Sequence, residues 1–422
     1  MGVSTDWRQS PQLAHCGGHR SAGAGDAVDG TVPALVIEPT EPAQLAAAMA
    51  WVSSERLKTV IRGRGSKLAW GRTPSHVDVV LSTAQINREV VHRHGDLTAT
   101  VQAGVTLSDL NRQLAAQGQW LPLDSPFEDA TIGGLIATND SGPLRHRYGT
   151  PRDLLIGITL AMTDGRLVRS GGHVVKNVAG YDMAKLVSGS FGTLAAIVDA
   201  TFKLLPIPQT SQTILASYDD GDALAADAAR LAASQLEPVA LDMRVALGQP
   251  DVAPQRVLAA RFATSPEATA VQVAEARQGL STTSEVLDGS RETALWSEQV
   301  RHPWMLAGTT VRLSWLPAAL ADVLRLMDEL QRTSGTAVEL IARAGLGAGF
   351  LRLDGDDAAV ARAIERLRSR PIVTNVVVLR HGGTLKRTVD PWGTPPDSLR
   401  LMQALKRSFD PAGVLNADRG PI

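Results

Sequence analysis

The feature that most constrains the fold of this chain is a series of three glycine-rich segments: the first follows a predicted strand, the second lies in a long predicted loop, and the third precedes a predicted strand. They read RGRGSK at 62–67, DATIGGLIATNDSG at 129–142 and SGSFGTLAAI at 188–197. Glycine permits the positive φ angles of tight turns, and consecutive backbone N–H groups in such turns bind anions. The first segment therefore predicts a phosphate-binding turn, and the other two would let a flat ligand approach the backbone. Taken singly, each segment is also compatible with an ordinary turn.

Hydrophobic periodicity divides the chain into two parts that meet near Pro208. Before this point, a strand–helix–strand–strand pattern begins at Leu35, and Asp164-Gly165 between two apolar runs indicates a hairpin. After it, strands such as VALDMRVA and GTTVRLSWL alternate with Ala-rich helices. This alternation is typical of an α+β domain built on an antiparallel sheet.

These patterns predict two helix N-caps and a division of the chain into four regions. Thr40 and Thr106 each precede a run with helical periodicity, and both are residues that cap helices well. The first 30 residues lack the charged-then-apolar order of a signal peptide, and their Gly, Ser, Ala and Asp content predicts a flexible leader. The predicted regions are a leader at 1–30, a ligand-binding domain at 31–208, an α+β domain at 209–385 and a C-terminal segment at 386–422.

Composition excludes several classes of protein. The formal net charge is −1, which argues against a nucleic-acid partner, and no apolar run is long enough to span a membrane. Cys16 is the only cysteine, so an internal disulfide and a cysteine-based metal cluster are excluded. His15 and His19 lie close to it, but structural metal sites usually need four ligands, and we predict no metal site. We expect a cytoplasmic protein, with any membrane association arising through partners.

The order and spacing of the glycine-rich segments resemble the FAD-binding domain of the vanillyl-alcohol oxidase family, also called the PCMH type. A strand enters a Gly-Ser turn, an A-T-x-G-G segment followed by N-x-S-G comes later, and G-S-x-G-T-L follows it. The resemblance extends from about Val36 to Pro208. It implies an α+β fold: an FAD-binding domain of two α/β subdomains, a cap domain on an antiparallel sheet, and a C-terminal segment that returns to the flavin.

The resemblance also implies roles for individual residues. The turn at 62–67 would hold the pyrophosphate, the segment from Thr131 would line the pyrophosphate and ring system, and Asn416 would approach the isoalloxazine. The backbone of Ile197 would hold the adenine end. Phe191 stands where the family often has an acidic residue, which leaves the adenosine contacts less well defined. The implied cofactor-binding residues are Arg62, Gly63, Arg64, Gly65, Ser66, Lys67, Thr131, Ile132, Gly133, Gly134, Thr138, Asn139, Ser141, Gly142, Ile197 and Asn416.

The string RSGGH at 169–173 resembles the loop on which some relatives carry FAD bound covalently to a histidine. In those relatives the loop is the first glycine turn, directly after the first β-α-β crossover. Here that turn lies at 62–66, and Ser66 stands in the place of the histidine. RSGGH follows the predicted hairpin instead. We therefore predict noncovalent FAD and an ordinary hairpin-end position for His173.

Two longer segments, 174–194 and 389–416, resemble the FAD-binding subunits of bacterial glycolate oxidases, better described as glycolate dehydrogenases. This resemblance implies glycolate as substrate and two partners, a homologous flavoprotein subunit and an iron–sulfur subunit. The related stand-alone D-2-hydroxy acid dehydrogenases carry metal-binding histidines in an H-G-D-G-N-x-H motif, which this chain lacks. RHGGTLKRTVD at 380–390 is the nearest candidate, LRHRYG at 144–149 offers further basic residues, and no catalytic residue is predicted.

Three functions therefore remain open. The chain could be the flavin-bearing subunit of a glycolate dehydrogenase complex. It could be an independent FAD-dependent 2-hydroxy acid dehydrogenase whose acid–base residues follow another pattern. It could also be a flavin-binding assembly subunit without turnover.

Overall fold

The computed structural model describes residues 7–88, 90–172, 181–248, 253–381 and 384–421. The chain forms two compact units. The first comprises Met1–Ser141, Thr150–Ile207 and Thr394–Ile422, and the second comprises Gly142–Gly149 and Pro208–Gly393.

The regular elements are as follows. The strands of the first unit are β1 (Gly18–Ser21), β2 (Leu35–Glu38), β3 (Thr59–Arg62), β4 (Val79–Ser82), β5 (Val90–Arg93), β6 (Thr98–Gln102), β7 (Gln119–Trp120), β8 (Leu155–Ala161), β9 (Leu167–Gly171), β10 (Ala196–Lys203) and β11 (Leu205–Pro206). Those of the second unit are β12 (Thr210–Ser217), β13 (Ala240–Leu247), β14 (Gln255–Thr264), β15 (Ser284–Leu287), β16 (Thr309–Trp315), β17 (Ala337–Arg343), β18 (Ala348–Asp354) and β19 (Val373–Arg380). The helices are α1 (Pro42–Ser54), α2 (Leu107–Ala115), α3 (Ile132–Thr138), α4 (Arg145–Tyr148), α5 (Pro151–Leu154), α6 (Met183–Val187), α7 (Gly221–Ala233), α8 (Pro266–Gln278), α9 (Gly289–Met305), α10 (Leu320–Ser334), α11 (Asp357–Arg368) and α12 (Leu399–Phe409).

The first sheet of the first unit has the strand order β1-β2-β4-β3, in which β2, β4 and β3 run parallel. One face packs on α1 through a cluster that includes Ile37, Met49 and Leu81. The helix begins one residue later than predicted. Its N-cap is Glu41 without a side-chain bond, and Thr40 instead donates its N–H to the Gln44 side chain at 2.9 Å. The predicted cap at Thr40 is therefore wrong.

The predicted flexible leader is also wrong for residues 7–30. β1 pairs antiparallel with β2 at the edge of the sheet. Val28 is fully buried and packs with Val36, Val60 and Val80 on the face opposite α1. Parallel strands are normally covered on both faces, and this segment supplies the second cover. Composition could not reveal this, because most of the segment is small or polar and its burial depends on a few apolar positions.

The second sheet of the first unit is antiparallel, with the strand order β5-β6-β10-β8-β9. Strands β8 and β9 form the hairpin predicted around Asp164-Gly165. The predicted cap at Thr106 is confirmed, since its hydroxyl accepts a hydrogen bond from the N–H of Asp109 at 3.1 Å. Apolar residues of α2 and α3 pack in one cluster with this sheet. This packing fixes the start of α3 beside the end of β6.

The second unit is built on an eight-stranded antiparallel sheet with the order β15-β12-β14-β13-β17-β18-β16-β19. One face is apolar and packs against helices α7, α8, α10 and α11. The other face carries charged side chains and is partly covered by α9, whose Trp296 packs on Ala240 and Ala259. The predicted α+β fold class is thus confirmed.

The limits of the second unit differ from the predicted ones. The unit ends at Gly393 rather than at residue 385, and it includes Gly142–Gly149, which the sequence had placed in the first domain. The reason is local packing: α4 lies against β13, and the ring of His146 lies beside Gly345. Within the described residues, the helices are too short or too polar to cross a membrane.

Candidate functional site

A cavity that is partly open to solvent lies within the first unit, and its empty space, counted together with the open mouth, is about 840 Å³. The turn after β3, the start of α3, the loop before β10 and the C-terminal segment border it. The predicted residues that line it are Arg62, Gly63, Arg64, Gly65, Ser66, Lys67, Thr131, Gly133, Gly134, Thr138, Ile197 and Asn416. The three glycine-rich segments therefore converge on one cavity.

The turn at 62–67 depends on glycine at two positions. Gly65 has a φ of +86°, which an L side chain rarely adopts. A Cβ on Gly63 would collide with the hydroxyl of Thr131, at the start of α3. The turn and the start of α3 can approach each other because position 63 lacks a side chain. The resulting wall exposes backbone amides rather than side-chain bulk.

The two consecutive glycines of α3 have different roles. Gly133 donates its N–H to the carbonyl of Ala103 at 2.8 Å, and a Cβ there would lie 3.0 Å from the Cβ of Ala103. Its lack of a side chain serves the contact with the segment after β6. Gly134 would meet only the Thr131 hydroxyl, at 3.2 Å, and otherwise faces open space. Of the two, Gly134 is the position where a ligand could approach the backbone.

The cavity wall is cationic, and none of its described lining residues is acidic. Arg62 donates a hydrogen bond to the buried carboxylate of Asp26 at 2.8 Å. Lys67 pairs with the buried carboxylate of Asp140 at 2.8 Å. The hydrogen bond from Arg20 is the main reason that the pKa of Asp26 is held well below its usual range. Both carboxylates lie behind the wall, so they hold the cations in place without facing the cavity.

Arg419 is a lining residue that the sequence did not indicate. Its guanidinium donates to the carbonyl oxygens of Leu68 and Trp70, and burial lowers its pKa to about 10. Phe191, noted only as a departure from the family pattern, has a φ of +55° and lies 6.3 Å from the Trp70 ring, centroid to centroid. No local sequence signal marks Arg419, because its partners lie about 350 residues earlier.

The C-terminal segment returns to the cavity through a backbone connection. The N–H of Asn416 donates to the carbonyl of Thr59 at 2.8 Å, and its side-chain amide donates to the carbonyl of Phe191. The Oδ1 atom of Asn416 is buried and accepts no hydrogen bond from the described residues. Lys406 anchors the segment by donating to the carbonyls of Thr193 and Leu415. Asn416 thus presents a buried acceptor at the wall of the cavity.

Four predicted residues do not line the cavity. Ile132 is fully buried in the apolar core beneath the second sheet. Asn139 ends α3 in the left-handed region and accepts a hydrogen bond from the N–H of Arg152. Ser141 follows the buried Asp140, and Gly142 belongs to the second unit. Their predicted contacts with the cofactor have no support in this geometry.

The other candidate stretches lie elsewhere. His173 falls outside the described residues, as do two glycines of the stretch at 380–390. Arg380 donates to the carbonyls of Trp304 and Leu306, so its guanidinium stabilises the fold of the second unit. In the stretch at 144–149, Arg147 pairs with Glu237, and burial lowers the pKa of His146. Among the described residues, no group of three or more His, Cys, Asp or Glu side chains could hold a metal ion.

The glycine turns and cations of the cavity suit an anionic ligand, and two family models match parts of the chain. Residues 33–171 match the FAD binding domain, and residues 253–419 match the C-terminal domain of FAD linked oxidases. The chain therefore carries two domains similar to those of FAD-linked oxidases, and FAD is its cofactor. An alkyldihydroxyacetonephosphate synthase structure has the same fold, with a TM-score of 0.67 and 15% identity over 92% of this chain and 77% of that one.

Several curated proteins are similar to part of the chain. Glycolate oxidase subunit GlcD of Bacillus subtilis is 35% identical over 50% of this chain and 45% of its own length. D-lactate dehydrogenase of Archaeoglobus fulgidus is 34% identical over 43% of this chain and 41% of its own. Glycolate oxidase subunit GlcE of Escherichia coli is 33% identical over 44% of this chain and 52% of its own. The matches span about half the length of these relatives.

The residues of the cavity fit FAD. The cationic wall and the amides of the turn at 62–67 suit a diphosphate. Gly134 and the small residues before β10 leave room for a flat ring against the backbone. The buried Oδ1 of Asn416 can accept a hydrogen bond from a donor on the ring system. Which residue contacts which part of FAD stays a prediction.

Proposed function

We propose that this chain is the FAD-bearing subunit of a glycolate dehydrogenase complex. Glycolate would lose two electrons and two protons to become glyoxylate, and the electrons would leave through partner subunits. The observation that carries the proposal is the cavity in the first unit, where three separate glycine-rich segments and the C-terminal segment meet. Similarity to two glycolate oxidase subunits supports the choice of substrate and of a multi-subunit assembly.

When bound, FAD supplies a two-electron acceptor for the oxidation of the carbinol carbon. The residues of this chain would position it. Arg64 is exposed and makes no hydrogen bond or ion pair in the described part of the chain, although its charge acts on the carboxylate of Asp109, so it can reach a phosphate without breaking a hydrogen bond. Arg62 and Lys67 would contribute positive electrostatic potential at the phosphates rather than new hydrogen bonds, because both already have carboxylate partners. Asn416 would orient the ring system through its amide.

We propose that FAD is held noncovalently, because Ser66 lines the cavity where covalent relatives carry the attachment histidine. Acid precipitation of the purified protein should leave the yellow flavin in the supernatant. If flavin fluorescence migrates with the protein on a denaturing gel, the attachment is covalent and this part of the proposal fails.

The turn at 62–67 can be tested with a matched pair of variants. Gly65→Asp places a carboxylate and a Cβ at a positive-φ position in the cavity wall. Gly118→Asp makes the same change at a φ of +66° with no atom within 4 Å and away from the cavity. We expect Gly65→Asp to lose FAD and Gly118→Asp to retain it. Equal FAD content in the two variants would contradict the assignment of the turn.

The partner proposal concerns a homologous flavoprotein subunit and an iron–sulfur subunit. The chain has one cysteine, so an iron–sulfur relay must come from another polypeptide. We expect the purified chain to reduce artificial dyes with glycolate only feebly, and the two partners to restore turnover. Location in the cytoplasm, with membrane association through the partners, belongs to the same proposal. Co-purification from the native host would identify the subunits.

A second candidate is a stand-alone D-2-hydroxy acid dehydrogenase. Similarity to D-lactate dehydrogenase of Archaeoglobus fulgidus favours it. Dye reduction by the single chain, compared for D-lactate and glycolate, separates the candidates. Full activity without partners would favour the stand-alone enzyme. FAD binding without turnover in any mixture would favour an assembly subunit.

A further inference from the structure

Arg343, the last residue of β17, is a buried cation with almost no polar partners. The residue is 3% exposed, and its Nε–H donates to no acceptor in the described part of the chain. The nearest carboxylate oxygen, Oδ2 of Asp242, is 4.0 Å from Nε, which is too far for a hydrogen bond. The guanidinium lies over the ring of Phe350, 5.2 Å from its centroid. Charge and an aromatic face hold the side chain, while its donors remain available.

Two other arginines on the same sheet face each have several hydrogen-bond partners. Arg352 donates to the carboxylates of Glu339 and Asp354 and to the carbonyl of Ala307. Arg244 donates to Glu339 and Glu298. Residues 339 and 343 of β17 lie on the same face, because side chains alternate along a strand. Their cross-strand partners, Arg352 and Asp242, therefore lie on that face too. The under-bonded state of Arg343 is therefore a local exception.

We propose that Arg343 binds the carboxylate of a small organic acid, of the 2-hydroxy acid class. A guanidinium presents parallel N–H donors that match the two oxygens of a carboxylate. Buried polar donors are nearly always satisfied, so an arginine kept buried without acceptors is best explained by a ligand that supplies them. The ring of Phe350 supports the guanidinium at 5.2 Å from its centroid. This inference rests on the proposed function, since it names the group that would hold its substrate.

A purely structural ion pair accounts less well for the geometry. Asp242 is fully buried, and its Oδ2 is approached by the side-chain amide of Gln299 at 3.5 Å. If pairing with Asp242 were the whole role of Arg343, hydrogen-bond contact would be expected, as Arg352 achieves with Glu339 at 3.0 Å. At 4.0 Å the Nε of Arg343 and the Oδ2 of Asp242 are too far apart for a hydrogen bond. A ligand carboxylate would instead accept the Nε–H of Arg343.

The test uses the full-length chain with FAD bound, and oxalate as a carboxylate that cannot be oxidised at a carbinol carbon. Oxalate affinity is measured by isothermal titration calorimetry for wild type, Arg343→Lys, Arg343→Met and the control Arg362→Met. Arg362 is exposed on α11 and makes no hydrogen bond or ion pair in the described part of the chain. We expect binding to weaken by about tenfold or more in Arg343→Met, by less in Arg343→Lys, and not at all in Arg362→Met.

FAD content reports folding, and Arg343→Lys serves as the test if Arg343→Met does not fold. Unchanged oxalate affinity in the folded Arg343 variants, or no oxalate binding by wild type, would overturn the site. Failure of the proposed function is a different result. In that case oxalate binding depends on Arg343, yet no mixture with partners oxidises glycolate. If glycolate is oxidised and only its KM rises in Arg343→Met, both proposals stand.

Discussion

The cavity of the first unit and the charged sheet face of the second unit both contain buried charged side chains, but they stabilise these charges differently. The cavity wall consists mainly of backbone, glycine and small side chains, and its cations Arg62 and Lys67 each have one carboxylate behind them. On the sheet face, the carboxylate of Glu339 contacts the side chains of Arg244, Arg352 and His302. The cavity should therefore be sensitive to added atoms, and the sheet face to removed charges.

The largest effect should come from Arg352→Met on the sheet face. The change leaves the 2% exposed carboxylate of Glu339 without one of its main partners, and breaking such buried pairs costs about 3–5 kcal/mol. Urea unfolding of the Arg352→Met and Arg362→Met variants should show that loss only in the first. A loss below about 1 kcal/mol would mean that water or Arg244 replaces the missing bond.

The second largest effect should be the stability that this charged network loses when the pH is lowered. Burial alone would raise the pKa of Glu339, but the hydrogen bond from His302 and the charges of His302 and Arg244 lower it to about 2. Because the folded pKa lies below the unfolded one, the stabilisation is complete above about pH 4.5 and is lost as the pH falls towards 2. It amounts to about 3 kcal/mol at neutral pH.

Comparing the unfolding free energies of wild type and Glu339→Gln between pH 7 and pH 2.5 measures this contribution. The two should differ most at neutral pH and approach each other in acid. A constant difference across this range would show that Glu339 titrates near its usual value in the folded protein.

A smaller effect is expected from an added atom in the cavity. The Cβ of Gly63→Ala would meet the Thr131 hydroxyl, and overpacking of this kind costs about 1–3 kcal/mol. We expect FAD affinity to fall by roughly thirtyfold, and Gly63→Ala/Thr131→Ala to recover part of the loss. Gly25→Ala is the control, because a Cβ there meets nothing within 4 Å. Fluorescence titration with FAD measures all three variants.

The smallest effect should come from Asp26→Asn, behind the cavity wall. It removes the charge that pairs with the half-exposed Arg20 and with Arg62, and should destabilise the FAD-free protein by about 1 kcal/mol. Bound FAD should reduce this loss, because its diphosphate would offer Arg62 a new partner. Thermal unfolding with and without FAD measures both values. An equal loss in the two states would indicate that Arg62 does not approach the phosphates.

The cavity was largely predictable from the sequence, whereas the sheet face was not. Gly65 has a local conformational reason, its positive φ, and the glycine-rich runs that contain Gly63 and Gly134 are visible in the sequence. Glu339 and Arg244 are 95 residues apart, and only strand register brings them together. Arg343 carries no local signal for the same reason.

The differences between the predicted site residues and the residues that line the cavity also have physical causes. Asn139 and Ile132 lie within the predicted segment, but the turn of a short helix directs them away from the cavity. The ordered N-terminal segment was missed because its burial depends on Val28 and on the pairing of β1 with β2. Its carboxylate Asp26 reaches Arg62 across 36 residues.

The return of the C-terminal segment has a consequence for protein synthesis. Val414 and Asn416 are joined to Thr59 by backbone hydrogen bonds, and Asn416 and Arg419 complete the wall of the cavity. A ribosome makes these residues after every strand of both units. The sheets of both units can therefore form while the chain is still growing, but the wall of the cavity closes only after residue 419 has emerged. Cofactor loading then becomes a late event, and a nascent chain that stops before Val414 would display folded sheets without retaining flavin.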